Sequence, residues 1–127
     1  MYEANKELSR RFTELFGTDD ETLADQIFGE DVVLHGTSRD GELRGIDAVK
    51  GFVAGYRQAF PGAHSTVEDQ VAEGDKVVTR WRARGSNTEG REFVMDGVTI
   101  ERIADDRIVE IWVARDELGL MRQLGQV

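Results

Sequence analysis

The sequence predicts an α+β fold in which helices cover a largely antiparallel sheet. Three observations lead there. Helical periodicity dominates residues 3–60 and returns only after 116. Between them, period-two alternation runs from 63 to 115. The extended segments are separated by short turns, which favours antiparallel hairpins over alternating βαβ units.

Each element has its own signal. Residues 3–16 place Ala4, Leu8, Phe12, Leu15 and Phe16 on one helical face. Thr18 and Glu21 have capping-box spacing, and Leu23, Ala24, Ile27 and Phe28 follow as a second short helix. Asp-Val-Val-Leu-His at 31–35 reads as a strand. Gly45 opens a third helix with the stripe Val49, Phe52, Val53, Tyr56 and Phe60, stopped by Pro61-Gly62. Residues 63–72, 76–85, 91–103 and 107–115 read as strands, with turns at 73–75 and 104–106 and a loop at 86–90. Asp116 begins a terminal helix carrying Leu118, Met121 and Leu124.

The 127 residues fit one domain, 1–127, large enough to bury a core without a metal or disulfide. With no cysteine, thiolate chemistry is excluded. A net charge of −9 argues against nucleic-acid binding, which needs clustered cations. The stripe Arg80, Arg82, Arg84 reads as a solvated strand face. Three Lys against thirteen Arg in an acidic chain suits solubility at high salt. No run reaches the roughly 18 apolar residues of a membrane span, and the polar N-terminus lacks a signal core. A soluble, cytoplasmic protein is expected, with no membrane partner. Two well-separated histidines make no metal motif, and no phosphate loop or nucleophile elbow is present.

The last hairpin gathers the polar candidates. A three-residue turn at 104–106 pairs Arg102 with Ile108, Ile100 with Glu110, Val98 with Trp112 and Asp96 with Ala114. Asp96, Arg102, Glu110, Trp112 and Asp116 then share one surface among apolar neighbours, as in a lined cavity or a satisfied network. A two-residue turn shifts this register. Each residue also has a purely structural reading: Asp116 as a helix N-cap, Arg102 with Glu110 as an ion pair, His35 as a hydrogen-bonded strand-end residue, and Trp81 and Trp112 as core. The opposite face, Val109, Ile111 and Val113, is expected to be exposed in a monomer, which points to a homodimer or higher homo-oligomer.

Several stretches, in order, resemble the SnoaL-like polyketide cyclases from about residue 4 to 125. They are Val-Val-Leu-His-Gly at 32–36, Arg-Gly-Ile-Asp-Ala at 44–48, Ala-Phe-Pro-Gly at 59–62, Glu-Gly-Asp-Lys-Val at 73–77, Arg80-Trp81 with Gly85-Ser86-Asn87, Ile-Val-Glu-Ile-Trp at 108–112, and Asp116 before Leu-Gly-Leu-Met-Arg-Gln-Leu-Gly at 118–125. The resemblance implies a cone: a curved sheet wrapped by N-terminal helices around a pocket. It implies intramolecular aldol condensation of a small hydrophobic or aromatic carbonyl compound without metal or cofactor. Asp116 matches the family's general acid/base. His35 or Arg102 would orient substrate or stabilise negative charge, and Trp112, Trp81, Glu110, Tyr56, Asp96 and Asn87 would bind it. Two departures stand out: Asn87 replaces a family histidine, and the loop after it is short. Two other readings use the same fold: a non-catalytic small-ligand binder, and an oligomeric interaction module.

Overall fold

The computed structural model describes residues 2–18, 20–38 and 41–126. The elements are α1 (Tyr2–Leu15), α2 (Glu21–Ile27), β1 (Phe28–Ser38), β2 (Gly41–Arg44), α3 (Ile46–Ala59), β3 (His64–Glu73), β4 (Lys76–Ser86), β5 (Glu92–Ala104), β6 (Arg107–Arg115) and α4 (Glu117–Gln123). They form an α+β fold in which α1, α2 and α3 pack on one face of a curved sheet. Among the described residues the sheet has six strands in the order β2-β1-β6-β5-β4-β3.

Most neighbours are antiparallel, as alternation with short turns requires. The exception is β1, which lies parallel to β6 and sets His35 beside Trp112. This pairing needs Gly36. Its φ is +91°, and a Cβ there would meet the Val113 carbonyl oxygen at 2.4 Å. Strand β1 is longer than the expected 31–35 because α2 feeds into it with no loop. Strand β2, too short and polar to show alternation, was not foreseen. The second helix is capped by Asp20 rather than Thr18: Asp20 Oδ1 accepts from the Thr22 amide at 3.0 Å.

The last hairpin departs most from expectation. Its turn has two residues, Asp105 and Asp106, with φ of 52° and 59°, and Ala104 pairs with Arg107. Asp tolerates the left-handed region that such a tight turn demands. One residue on, the register breaks: Ile103 pairs with Ile108 but Arg102 with Glu110, leaving Val109 as a bulge. Turn and bulge together displace the expected pairing by two residues, so Ile100 faces Trp112 and Val98 faces Ala114.

Two buried clusters form the interior. The larger joins Phe12, Leu15, Ile27, Phe28, Val32, Leu34, Val49, Ile108 and Ile111 beneath the N-terminal helices. The smaller joins Ala63, Ala83, Phe93, Met95, Leu120 and Leu124 under α4. Helix α4 thus buries Leu120, and its C-cap Leu124 is buried with it, while Leu118 and Met121 are exposed. Rings in contact bridge the clusters: Phe28, Phe12, Phe16, Tyr56, Phe60 and Phe93 follow one another at centroid distances of 4.8–5.5 Å.

Candidate functional site

A cavity lies where the two clusters meet. Phe12, Thr13 and Phe16 of α1 and Phe52 and Tyr56 of α3 form one wall; Ser65, Trp81, Met95, Thr99, Val113 and Arg115 of the sheet form the other. The cavity is narrow, about 30 Å3 in volume, room for about two waters. With the adjoining open solvent, the atom-free space amounts to about 450 Å3. A wider groove of about 550 Å3 beside His64, Arg84, Val94 and Gln123 is shallow and open.

Strand phase selects the lining. Inward positions on β5 are Phe93, Met95, Gly97, Thr99, Glu101 and Ile103, and on β6 Ile111, Val113 and Arg115, as their burial and pairing show. Gly97 lets the Trp81 ring lie across the sheet, since a Cβ there would stand 2.2 Å from that ring. Arg115 ends the inward row of β6. Its guanidinium carbon sits 5.7 Å from the centre of the Phe52 ring, and its Nε donates to Glu117 Oε1 at 3.0 Å. Burial raises the Tyr56 phenol, opposed by the charge of Arg115.

Behind the cavity floor lies a buried polar chain. Glu101 is fully buried, and its Oε1 accepts from Ser9 Oγ at 2.7 Å and Thr99 Oγ1 at 2.9 Å. Ser9 Oγ is 2.6 Å from Thr79 Oγ1, which accepts from Gln70 Nε2 at 3.0 Å. Glu101 Oε2 is buried without a partner. Burial pushes the carboxyl up to about 7, against the hydrogen bonds from Ser9 and Thr99.

The residues expected from sequence divide between the two faces of the sheet. Trp81 and Tyr56 line the cavity. Arg102, Glu110 and Trp112 share a face with Val98, Ile100 and Asp96, as grouped from sequence, because a two-residue displacement preserves parity. That face, however, is the one turned away from the helices. On it His35 stacks on Trp112 at 5.3 Å, and its Nε2 lies 2.7 Å from Glu110 Oε2. Arg102 Nε donates to Glu110 Oε1 at 3.1 Å. These partners, His35 first, hold the Glu110 carboxyl below the usual carboxylate range. Asp96 accepts two hydrogen bonds from Arg82, which lower its carboxyl likewise. Asn87 Oδ1 accepts from the amides of Glu89 and Arg91 and shapes the β4–β5 loop.

Asp116, expected on the cavity face, caps α4: its Oδ1 accepts from the Gly119 amide at 2.9 Å, and the residue is exposed. The strand ends at Arg115, so alternation no longer governs Asp116. Arg115 and Glu101 escaped the sequence reading because the opposite strand phase was taken as inward. Composition leaves the inward face of β5 undecided: odd positions hold Phe93, Met95 and Ile103, but even positions hold Val94, Val98 and Ile100. Among the described residues no group of three His, Cys, Asp or Glu could hold a metal ion. None of the described helices is long and apolar enough to cross a membrane.

A curved six-stranded sheet with helices across its concave side and a cavity between them defines the nuclear-transport-factor-like cone fold. Solved structures agree. IdmH from Streptomyces antibioticus, described as a candidate polyketide cyclase, is 28% identical with a TM-score of 0.81, over 97% of this chain and 99% of that one. A candidate polyketide cyclase from Acidithiobacillus ferrooxidans is 27% identical with a TM-score of 0.84, over 99% and 97%. An NTF2-like protein of unknown function from an Exiguobacterium species is 29% identical with a TM-score of 0.73, over 87% and 98%. No curated protein sequence matches. The sequence profile of the SnoaL-like polyketide cyclases matches residues 6–124, and the chain belongs to that family.

Proposed function

We propose that the cavity holds a small hydrophobic carbonyl compound and that this protein performs cofactor-independent intramolecular aldol chemistry on it. The observation that carries the reading is the make-up of the cavity: aromatic and aliphatic walls with Tyr56, Ser65 and Arg115 among the residues that line them, the Thr13 and Thr99 hydroxyls being spent on the Ser9 carbonyl and Glu101. Such a lining suits an apolar carbonyl compound whose developing oxyanion needs donors. A carboxylate takes an acidic α-proton from the substrate. The enolate carbon bonds to a second carbonyl carbon of the same molecule, and the resulting alkoxide receives the proton back. A β-dicarbonyl substrate delocalises its own enolate, so the step written this way needs no metal.

Family membership supports Asp116 as the group that moves the proton. It follows Arg115 directly at the end of β6, and capping the Gly119 amide through Oδ1 leaves the second carboxylate oxygen able to take the proton. Asp116→Asn preserves a cap and removes the proton transfer. Ring closure of a linear poly-β-ketone, followed by absorbance, is expected to fall about 10²- to 10⁴-fold, the usual worth of acid/base catalysis, with stability nearly unchanged. Asp116→Ala is expected to cost a further 0.5–2 kcal/mol of stability, roughly. The non-catalytic binder has one observation in its favour: Asp116 is engaged as a cap. On that reading Asp116→Asn is silent, and this outcome would displace the enzyme.

Self-association through the outer sheet face belongs to the same reading. That face carries Val98, Ile100 and Trp112, half-buried in the isolated chain, and Val71, 64% exposed. It replaces the surface expected from sequence, since Ile111 is fully buried and Val113 packs on the core.

A further inference from the structure

We propose that the cavity is selective for an anionic ligand, a small apolar compound bearing one carboxylate or enolate, held at the mouth by Arg115. The inference rests on the cavity reading above and adds the charge of the ligand.

Among the described residues that line the cavity, Arg115 alone carries a formal charge. Packing alone does not account for it. The inward row of β6 runs Ile111, Val113, Arg115, and an apolar residue would continue that row against Phe52. Instead a guanidinium is held over Phe52, with the Arg115 side chain only 17% exposed. A cation so placed is partly stripped of water, which strengthens its pull on an anion beside it. Glu117 accepts from Nε; a guanidinium has four further N–H donors in its fork.

A second donor stands in the same cavity. Burial keeps the Tyr56 phenol protonated above its ordinary range, so it can donate to an oxyanion across the neutral region. No carboxylate lines the cavity among the described residues, and Glu101 sits behind Thr99 rather than in the wall. The donor set is therefore one cation and the hydroxyls of Tyr56 and Ser65 around apolar walls, since those of Thr13 and Thr99 donate to the Ser9 carbonyl and Glu101. The chain as a whole carries −9, so its long-range field repels anions. Selection for an anion here must come from a local contact, which Arg115 is positioned to make. Glu117, whose side chain is 52% exposed, competes with the ligand for the same guanidinium.

Benzoate and benzamide test this, being alike in shape and different by one charge. Each is titrated into the full chain while the Trp81 indole N–H resonance and the Arg115 side-chain resonances are followed by NMR. Benzoate is expected to bind about tenfold more tightly than benzamide, the scale of one charge-assisted contact. Arg115→Gln is expected to bring the two affinities together by weakening benzoate alone. Glu117→Gln, a change on the surface, is expected to tighten benzoate about two- to fivefold and leave benzamide unmoved. Equal binding of both compounds by the unaltered chain would leave the cavity reading standing and overturn the selectivity for anions. Binding of neither, with Trp81 unperturbed, would overturn both. If Arg115→Gln fails to fold by circular dichroism, the benzoate-to-benzamide ratio and the Glu117→Gln shift decide.

Discussion

Glu101 brings a whole carboxyl into the core and leaves Oε2 without a partner. Desolvation is the larger effect, so the folded chain holds this proton up to about pH 7 against an ordinary value of 4.5. The sign follows from which state binds the proton more tightly. Here it is the folded state, so the stability contributed by the protonated group is fully present below the unfolded value and is lost as pH rises through about 7. Wild-type stability is therefore expected to decline between about pH 5 and 8. Glu101→Gln keeps the shape, accepts the Ser9 and Thr99 bonds and removes the titration. Its unfolding free energy in urea is expected to change little over this window and to exceed the wild type at pH 8, by roughly 1–3 kcal/mol at about 1.4 kcal/mol per pKa unit. Urea unfolding at pH 5, 6.5 and 8 measures it, and a flat wild-type curve would sink the assignment.

At the scale of elements, the parallel pairing of β1 with β6 ties the N-terminal half of the fold to the sheet. That pairing depends on close approach of Gly36 to Val113. Gly36→Ala sets a methyl 2.4 Å from the Val113 oxygen at a φ of +91°. Neither backbone can yield without losing ladder bonds. The expected cost is about 2–5 kcal/mol, adding left-handed strain to overpacking, or failure to fold. A denaturation midpoint within error of the wild type would contradict it. The Asp105-Asp106 turn and the Val109 bulge show how little local sequence controls register. A tight turn was legible at 104–106, but its length and the compensating bulge were not, because neither leaves a periodic mark.

For the whole molecule, the proposed self-association rests on the outer sheet face. It mixes apolar side chains with paired charges: Arg82 with Asp96, Arg80 with Asp69, and Arg102 and His35 with Glu110. Satisfied pairs of this kind are suited to the rim of an interface. Light scattering at micromolar concentration is expected to give twice the monomer mass, and Ile100→Asp is expected to halve it while the circular dichroism spectrum is kept. A monomer mass for the unaltered chain would refute self-association. The described walls of the cavity come from α1, α3 and the sheet.

By itself the sequence determined the helix and strand content, the order of the elements and which residues share a strand face. Periods of 3.6 and 2 report these directly. His35 lies on β1, Arg102 on β5, and Glu110 and Trp112 on β6, and the last three share the face on which strand parity groups them. Only the tertiary structure decided which face turns inward. Period two is symmetric: it separates two sets of side chains without saying which one the helices cover. The packing of α1 against Thr99, Glu101 and Val113 made that choice. It moved the grouped residues to the outside, and it brought Arg115 and Glu101, unmarked in the sequence, to the cavity mouth and behind its floor.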